Sequence, residues 1–418
     1  MSGKASATTY SYSLINPPVT TTGTYGSVSA SQINDTGQIL GSVSGNGQSI
    51  PFLYSNGNYT ILAAPGATYT TASQLDDAGR VIGSCQDGTG RHAYVYENGT
   101  YTQVDAPDSQ LTNLVQSTAS GLLLGTAFDS HGLHPFIDNN GQFTTLAVPG
   151  AAGTFVSPSY NGSSINESGD VIGGYRDQSG THAFLYQDDT YTTLAMPDSV
   201  RTTATSVNKL GQVLGTYSTG FDQRLFLYDH GTYTTIAYPG GNGNIYNAQL
   251  NDAGEVAGSY YDNAGNHVFL YKDGNYTRVD PPASASSEAP QQTANASFVD
   301  LNNKGDILGS YYGASSGTFL YSHGTSTDVT IAGTSSSTLN QINDLGQMIG
   351  AFYDNSGSYA VLATPDAVWV APSHESSAWL PASDGSEPAV IGPGGSYWGT
   401  GDQSSTSTIT QQQTYTAS

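Results

Sequence analysis

The amino-acid sequence predicts an all-β fold: an eight-bladed β-propeller of four-stranded blades, its ring closed by an N-terminal strand. Three observations carry this reading. A turn signature recurs eight times at a spacing near 42 residues, and each repeat divides into four strand-like segments. An orphan strand ahead of the first repeat complements the last repeat, which lacks its fourth strand. Four-stranded units of this length indicate blades rather than solenoid coils.

The signature is Asn-Asp-x-Gly, followed four residues later by a second Gly. It reads INDTGQILG (33–41), LDDAGRVIG (75–83), INESGDVIG (165–173), VNKLGQVLG (207–215), LNDAGEVAG (250–258), LNNKGDILG (301–309) and INDLGQMIG (342–350). A degenerate copy, STASGLLLG (117–125), fills the vacant slot. The closing glycines, from Gly41 to Gly350, are spaced 42, 42, 48, 42, 43, 51 and 41 apart.

Within the second unit, strand A is TASQLDD, B is RVIGSC, C is HAYVY and D is TYTQVDAP. Asn-Asp-x-Gly joins A to B as a short hairpin, and Asn-Gly or Asp-Gly joins C to D in SNGNY, ENGTY and KDGNY. β-Branched and aromatic residues fill the segments between those turns, and no helical periodicity competes. A Gly in the middle of every strand B weakens that strand intrinsically, so its recurrence implies close backbone packing. The recurring strand tyrosines, such as Tyr54, Tyr96, Tyr186 and Tyr271, read as core and inter-blade packing.

The ends make the ring. The last unit stops after SYAVLATP (358–365) without a D strand, and an orphan YSLINPP (12–18) precedes the first unit. That orphan aligns with the D strand YTRVDPP (276–282), so residues 12–18 supply the outer strand of the last blade. The propeller domain therefore covers 1–365. Residues 366–418 hold all three Trp and a Ser/Thr/Gln tail, and form a C-terminal appendage, partly irregular or disordered.

Composition narrows the function classes. Ten Lys and Arg face 33 Asp and Glu, a net charge of −23, which repels nucleic-acid backbones. No 18-residue apolar run exists, so membrane insertion is not expected. The single Cys85 permits no internal disulfide and reads as a small buried filler. The first residues lack the apolar core of a secretory leader, so export is expected without a cleavable N-terminal signal.

The B–C segments read DGTGRHAY (87–94), DSHGLHPF (129–136), DQSGTHAF (177–184) and DNAGNHVF (262–269). These stretches resemble the HAF repeat of bacterial extracellular proteins, over roughly residues 30–365. The resemblance implies an extracellular or surface-associated bacterial repeat protein and no established reaction. Blades one, five, seven and eight depart from it, with IPF, RLF, GTF and SYA.

Candidate chemistry lies in those loops. Asp87 and His92, Asp129 and His134, Asp177 and His182, and Asp262 and His267 are each five apart. Each Asp caps its own turn and each His bonds a neighbouring blade, or the four imidazoles form a ligand-contacting rim. His in four of eight blades argues against a symmetric metal site, and no metal or cofactor is expected. The long D–A connections at 150–164 and 281–298 fall on the same face, where Tyr160 and Tyr246 offer stacking to a sugar. DNAG (262–265) and DNSG (354–357) read as plain turns rather than calcium loops. The sialidase Asp box, Trp docking motifs, G-x-S-x-G, H-E-x-x-H and the P-loop are all absent from the sequence.

A binding or adhesion scaffold for carbohydrate or protein partners is the favoured function, because near-equal blades give many shallow sites suited to multivalent attachment. The alternative is a polysaccharide-active enzyme, a hydrolase or lyase, with its site on the D–A/B–C loop face. It would need one asymmetric pocket with an acid–base pair of displaced pKa. A purely structural matrix protein is the third option. Oligomeric state is left open by the sequence.

Overall fold

The Asn-Asp-x-Gly segment owes its sequence to hydrogen bonding. In the first unit the Asn34 Oδ1 accepts the N–H groups of Thr36 (3.2 Å) and Gln38 (2.8 Å), while the backbone closes between Gly37 N–H and Asn34 C=O (3.0 Å). Gly37 takes a φ of 80°, a left-handed conformation open to Gly without strain. The remaining Asn34 donor, Nδ2, reaches the Asp76 carbonyl of the next unit at 2.8 Å. One side chain thus shapes its own turn and ties it to the neighbour.

The computed structural model describes residues 9–18, 25–45, 47–156, 162–220, 223–240, 245–282, 295–313, 315–331, 334, 336–354 and 357–366. It is an eight-bladed β-propeller: eight four-stranded antiparallel sheets, each in the strand order A-B-C-D, with no helix among the described residues. Blades 1 to 7 span 25–61, 69–104, 111–145, 153–194, 201–236, 245–279 and 295–328. Blade 8 takes strands A to C from 336–365 and strand D from Tyr10–Leu14. The expected C-terminal appendage lies outside the described residues apart from Asp366.

Ring closure by the N-terminal strand is present in register, with Tyr12 opposite Ala363 and Leu14 opposite Val361. The strand begins at Tyr10, two residues earlier than the repeat alignment places it. It stops at Leu14, followed by one further bond from Ile15 N–H to Ala360 C=O (2.9 Å). Pro17 and Pro18 cannot donate, so pairing ends before them. A second difference concerns 150–164. Its residues Gly153–Phe155 are strand A of blade 4, so this segment interrupts strand A rather than merely preceding it. In the 281–298 segment, likewise, Asn295 already begins strand A of blade 7.

Each blade core rests on the strand B glycine. Gly83 pairs with Tyr94 and Gly173 with Phe184, whose rings lie over the space a Cβ would fill. The corresponding rings Phe52, Phe136, Phe226, Phe269 and Phe319 are fully buried. That geometry explains the third position of the His-Ala-Phe pattern. The strand tyrosines pack as expected: a C-strand ring meets a D-strand ring 4.9–5.0 Å away in the pairs Tyr96–Tyr101, Tyr186–Tyr191 and Tyr271–Tyr276. The D-strand hydroxyls then bridge blades, Tyr191 accepting from Ala147 N–H (2.8 Å) and Tyr276 from Ala237 N–H (2.9 Å). Cys85 is only half-buried, with burial pushing its thiol pKa up.

Two polar belts run around the ring through the A strands. In the first, Asn166, Asn208, Asn251, Asn302 and Asn343 each donate to the turn carbonyl of the following blade, and Asn343 closes the circle on Asn34 at 2.8 Å. Where Asp76 replaces Asn and cannot donate, Arg80 pairs with it (3.2 Å) and donates to Thr118 C=O instead (2.7 Å). The second belt uses the residue two before that Asn. Gln32, Gln74, Gln116, Gln249 and Gln341 each accept a backbone N–H of the next blade, from Leu75, Ser117, Ser164, Leu301 and Ile33 respectively.

Asp300 holds the Gln position in blade 7 and accepts Ile342 N–H at 2.8 Å. Burial pushes its carboxyl up to about 6, against the N–H groups of Ile342 and Leu301 and the Gln249 amide that favour the anion. The folded state therefore holds a proton here between about pH 4 and 6 that the unfolded chain has released. The stability contribution is full below about pH 4 and is lost as pH rises through 6. Asp300→Asn should stabilise the protein by about 1–3 kcal/mol at pH 7.5 and by little at pH 4. Urea unfolding of both proteins at the two pH values checks this, and an equal difference at both would refute it.

Candidate functional site

Antiparallel order places the A–B and C–D turns at one end of every blade and the B–C turns and D–A connections at the other. The first end is the belt face. There Asp35, Asp77, Glu167, Asp252 and Asp344 follow the belt residues, and all five accept backbone N–H groups from the preceding blade. Burial, with Asp77 and Asp344 nearby, pushes the Asp35 carboxyl up to about 6 despite the Asp344 N–H it accepts. The second end, the loop face, carries the Asp–His segments.

Each of the four Asp caps its own B–C turn. Asp87 accepts the Thr89 hydroxyl (2.6 Å) and N–H (2.7 Å), and Asp177 accepts the same two groups of Ser179 at the same distances. These bonds hold both carboxyls at about 2. Asp129 is lowered by His131 N–H, and at Asp262 the bonds from Ala264 and His267 outweigh a desolvation that acts upward.

The His partners lie inside their own blades, not in neighbouring ones. His182 and His267 meet their Asp at 3.1 and 2.9 Å, and His134 stands 3.7 Å from Asp129. His92 is 3.5 Å from Asp87 and bonds Thr89, with Asp105 (3.1 Å) and Gln103 (2.8 Å) on its other nitrogen. His92, His134 and His182 remain partly exposed, whereas His267 is 1% exposed and cannot serve as a rim residue. The pairs occupy blades 2, 3, 4 and 6 separately, and no metal-holding cluster of His, Cys, Asp or Glu occurs among the described residues.

The exposed aromatic residues are distributed one-sidedly. Tyr69, Phe128, Phe155, Tyr246, Tyr261, Tyr312 and Tyr353 are the exposed aromatic side chains among the described residues. Every one lies in strand A or at the end of strand B, toward the loop face. Tyr261, Tyr312 and Tyr353 hold one register position, three residues after the strand B glycine, in three consecutive blades. Asn266 links two of these blades, accepting from Tyr246 Oη (2.9 Å) and donating to Tyr312 Oη (2.8 Å). Tyr160 lies outside the described residues.

One cavity breaks the symmetry. It has a volume near 490 Å³, lies between blades 4, 5 and 6, and is lined by Phe155, His182, Arg201, Gln223, Tyr246 and Asn247 among others. One of its lining residues, Ser164, belongs to the second belt. Blades 4 and 5 carry Ser164 and Ser206 where five other blades carry Gln. Between blades 4 and 5 the clasp is replaced by Val207 N–H to Ser163 C=O (2.8 Å). The Ser206 hydroxyl is buried without a hydrogen-bond partner. Asn247, with φ 51°, is the only left-handed non-glycine inside a strand among the described residues, and it lines this cavity.

Two sequence candidates, His182 and Tyr246, thus meet in one site. Sequence reasoning missed Phe155, Arg201, Gln223 and Asn247. The available signal was the change from Gln to Ser164 in blade 4, visible when the repeats are aligned at the belt position.

The sequence matches no protein-family model, and no curated protein matches it. Solved structures with a similar fold include the β-propeller domain of the Trilobed protease from Pyrococcus furiosus, described as having an open velcro topology. It is 10% identical over 74% of this chain and 99% of that one, with a TM-score of 0.43. Prolyl oligopeptidase B from Galerina marginata is 10% identical over 78% of this chain and 55% of that one, at 0.48. A virginiamycin B lyase from Staphylococcus aureus is 12% identical over 72% and 97%, at 0.38.

Proposed function

We propose that this propeller is an extracellular or surface-associated binding scaffold that recognises carbohydrate on its loop face. The observation that carries the reading is the placement of all seven exposed aromatic side chains, among the described residues, toward that face. Flat rings with a polar tip stack on sugar rings and still offer a hydrogen bond, and exposed aromatic groups grouped on one side mark an interaction surface. The register-matched Tyr261, Tyr312 and Tyr353 suit a chain of repeating residues, with each blade adding a weak contact. The strongly acidic surface and the His-Ala-Phe resemblance support an extracellular setting.

The four B–C turn carboxylates are poorly suited to act as the acid of a hydrolase. A glycosidase needs one carboxylic acid kept protonated near neutral pH. Asp87, Asp129, Asp177 and Asp262 are shifted the other way. A glycan array probed with the full chain and with a Tyr261→Ala/Tyr312→Ala/Tyr353→Ala variant tests the proposal. Polysaccharide binding should fall tenfold or more in the variant, from stacking worth about 0.5–1.5 kcal/mol per ring. Binding that is unchanged in the variant would remove the aromatic face from the account.

A further inference from the structure

We infer that the cavity between blades 4, 5 and 6 is a site for an acidic sugar, a hexuronate residue whose carboxylate is held by Arg201; the inference rests on the carbohydrate reading above and names the class of glycan.

The first support is the unpartnered cation. Arg201 opens strand A of blade 5, lines the cavity and is exposed. No ion pair or hydrogen bond of its guanidinium occurs among the described residues. In a chain of 33 acidic and 10 basic side chains, cations are readily neutralised by neighbours. Arg80, Lys272 and Arg278 are each paired with a carboxylate. An unpaired guanidinium in a concave site is a fork matched to a carboxylate, with two parallel N–H···O bonds. Arg176 closes strand B of blade 4 and Arg224 stands second in strand C of blade 5, at the same end of these two blades. Half of the six arginines thus lie on this edge.

The second support is the lining. Phe155 and Tyr246 present exposed rings, and the Phe155 ring packs on Gly174, where a Cβ would overlap it. His182, Gln223 and Asn247 add amide and imidazole groups suited to sugar hydroxyls. A volume near 490 Å³ falls in the ordinary range for small-ligand sites and holds one or two sugar rings. Asn247 is kept in a strained left-handed conformation at the cavity wall, and strain of this kind concentrates at ligand sites. Rings on the sides, hydroxyl-matching groups between them and one cation describe a uronate better than an extended peptide.

The test is calorimetric titration of the full chain with tetramers of galacturonate, glucuronate and mannuronate. Their methyl esters and a neutral galactose tetramer are run in parallel. At least one acidic tetramer should bind about 10- to 100-fold more tightly than its ester. Arg201→Gln should erase that preference, and Arg201→Lys, which keeps the charge but not the fork, should restore part of it. Arg201 is exposed and unpartnered, so the unfolding midpoint of these variants should not move. Acid and ester bound equally, or a preference that survives Arg201→Gln, would overturn the inference while leaving carbohydrate binding intact. Failure of every saccharide, on the array and in solution, would overturn both readings. Capture of a peptide C-terminal carboxylate through Arg201 in that case would identify a protein partner instead.

Discussion

A chain lacking residues 1–18 is expected to lose cooperative unfolding, or to associate in solution. The missing strand contributes five register pairs along strand C of blade 8 and the buried Ile15. It also supplies the Tyr12 hydroxyl, which reaches Val329 C=O of blade 7 at 3.0 Å. Tyr10 and Tyr12 cover the blade 8 core around Val361 and Ala363. Burial of these side chains plus the strand pairing is worth on the order of 5 kcal/mol or more. That is comparable to the whole stability of a typical domain. The exposed edge of Gly357–Pro365 would also offer unpaired backbone to another chain. Near-UV circular dichroism across a urea series, with size-exclusion chromatography, reads both effects. Adding a peptide of residues 1–18 in trans should recover part of the loss. An unchanged midpoint and slope would mean that the belts alone close the ring.

Gly83→Ala is expected to destabilise by about 3 kcal/mol or more, and Gly350→Ala by as much. The nearest obstruction in both is backbone. A Cβ on Gly83 would overlap the Thr71 carbonyl oxygen, and one on Gly350 the Thr338 carbonyl oxygen and the Leu339 Cα. Neither strand A can retreat, because its other face carries the inter-blade belt. Gly88 is the control: it lies in the B–C turn of blade 2 with open space around its missing Cβ. Its φ is outside the left-handed region, so Gly88→Ala should be neutral or slightly stabilising. Urea midpoints of the three variants decide the matter. A Gly83→Ala protein as stable as Gly88→Ala would mean the A strand moves freely.

The fold was legible because every level of the sequence repeats it. Asn34 and its counterparts state a turn, Gly41 and its counterparts state a close strand approach, and the orphan D strand states a ring. Local chemistry and period agree, so few alternatives compete. The Asp–His pairs were legible as recurring partners for the same reason. Their use was not, since Asp87 is satisfied by its own turn and His267 is sealed by packing, and neither fact is local in sequence.

The sequence by itself determined blade number, strand order, ring closure and the acidic surface, because each follows from short-range pattern repeated at a fixed spacing. Only the tertiary structure decided where the repeat fails usefully. Ser164 is an unremarkable serine until the ring places it in the wall of a cavity shared by three blades. Phe155, Arg201 and Tyr246 come from three different blades, 46 and 45 residues apart in the chain, and share one cavity only because the ring curves. A site assembled across blades depends on which side chains the ring brings together, and pattern along one strand carries no record of that.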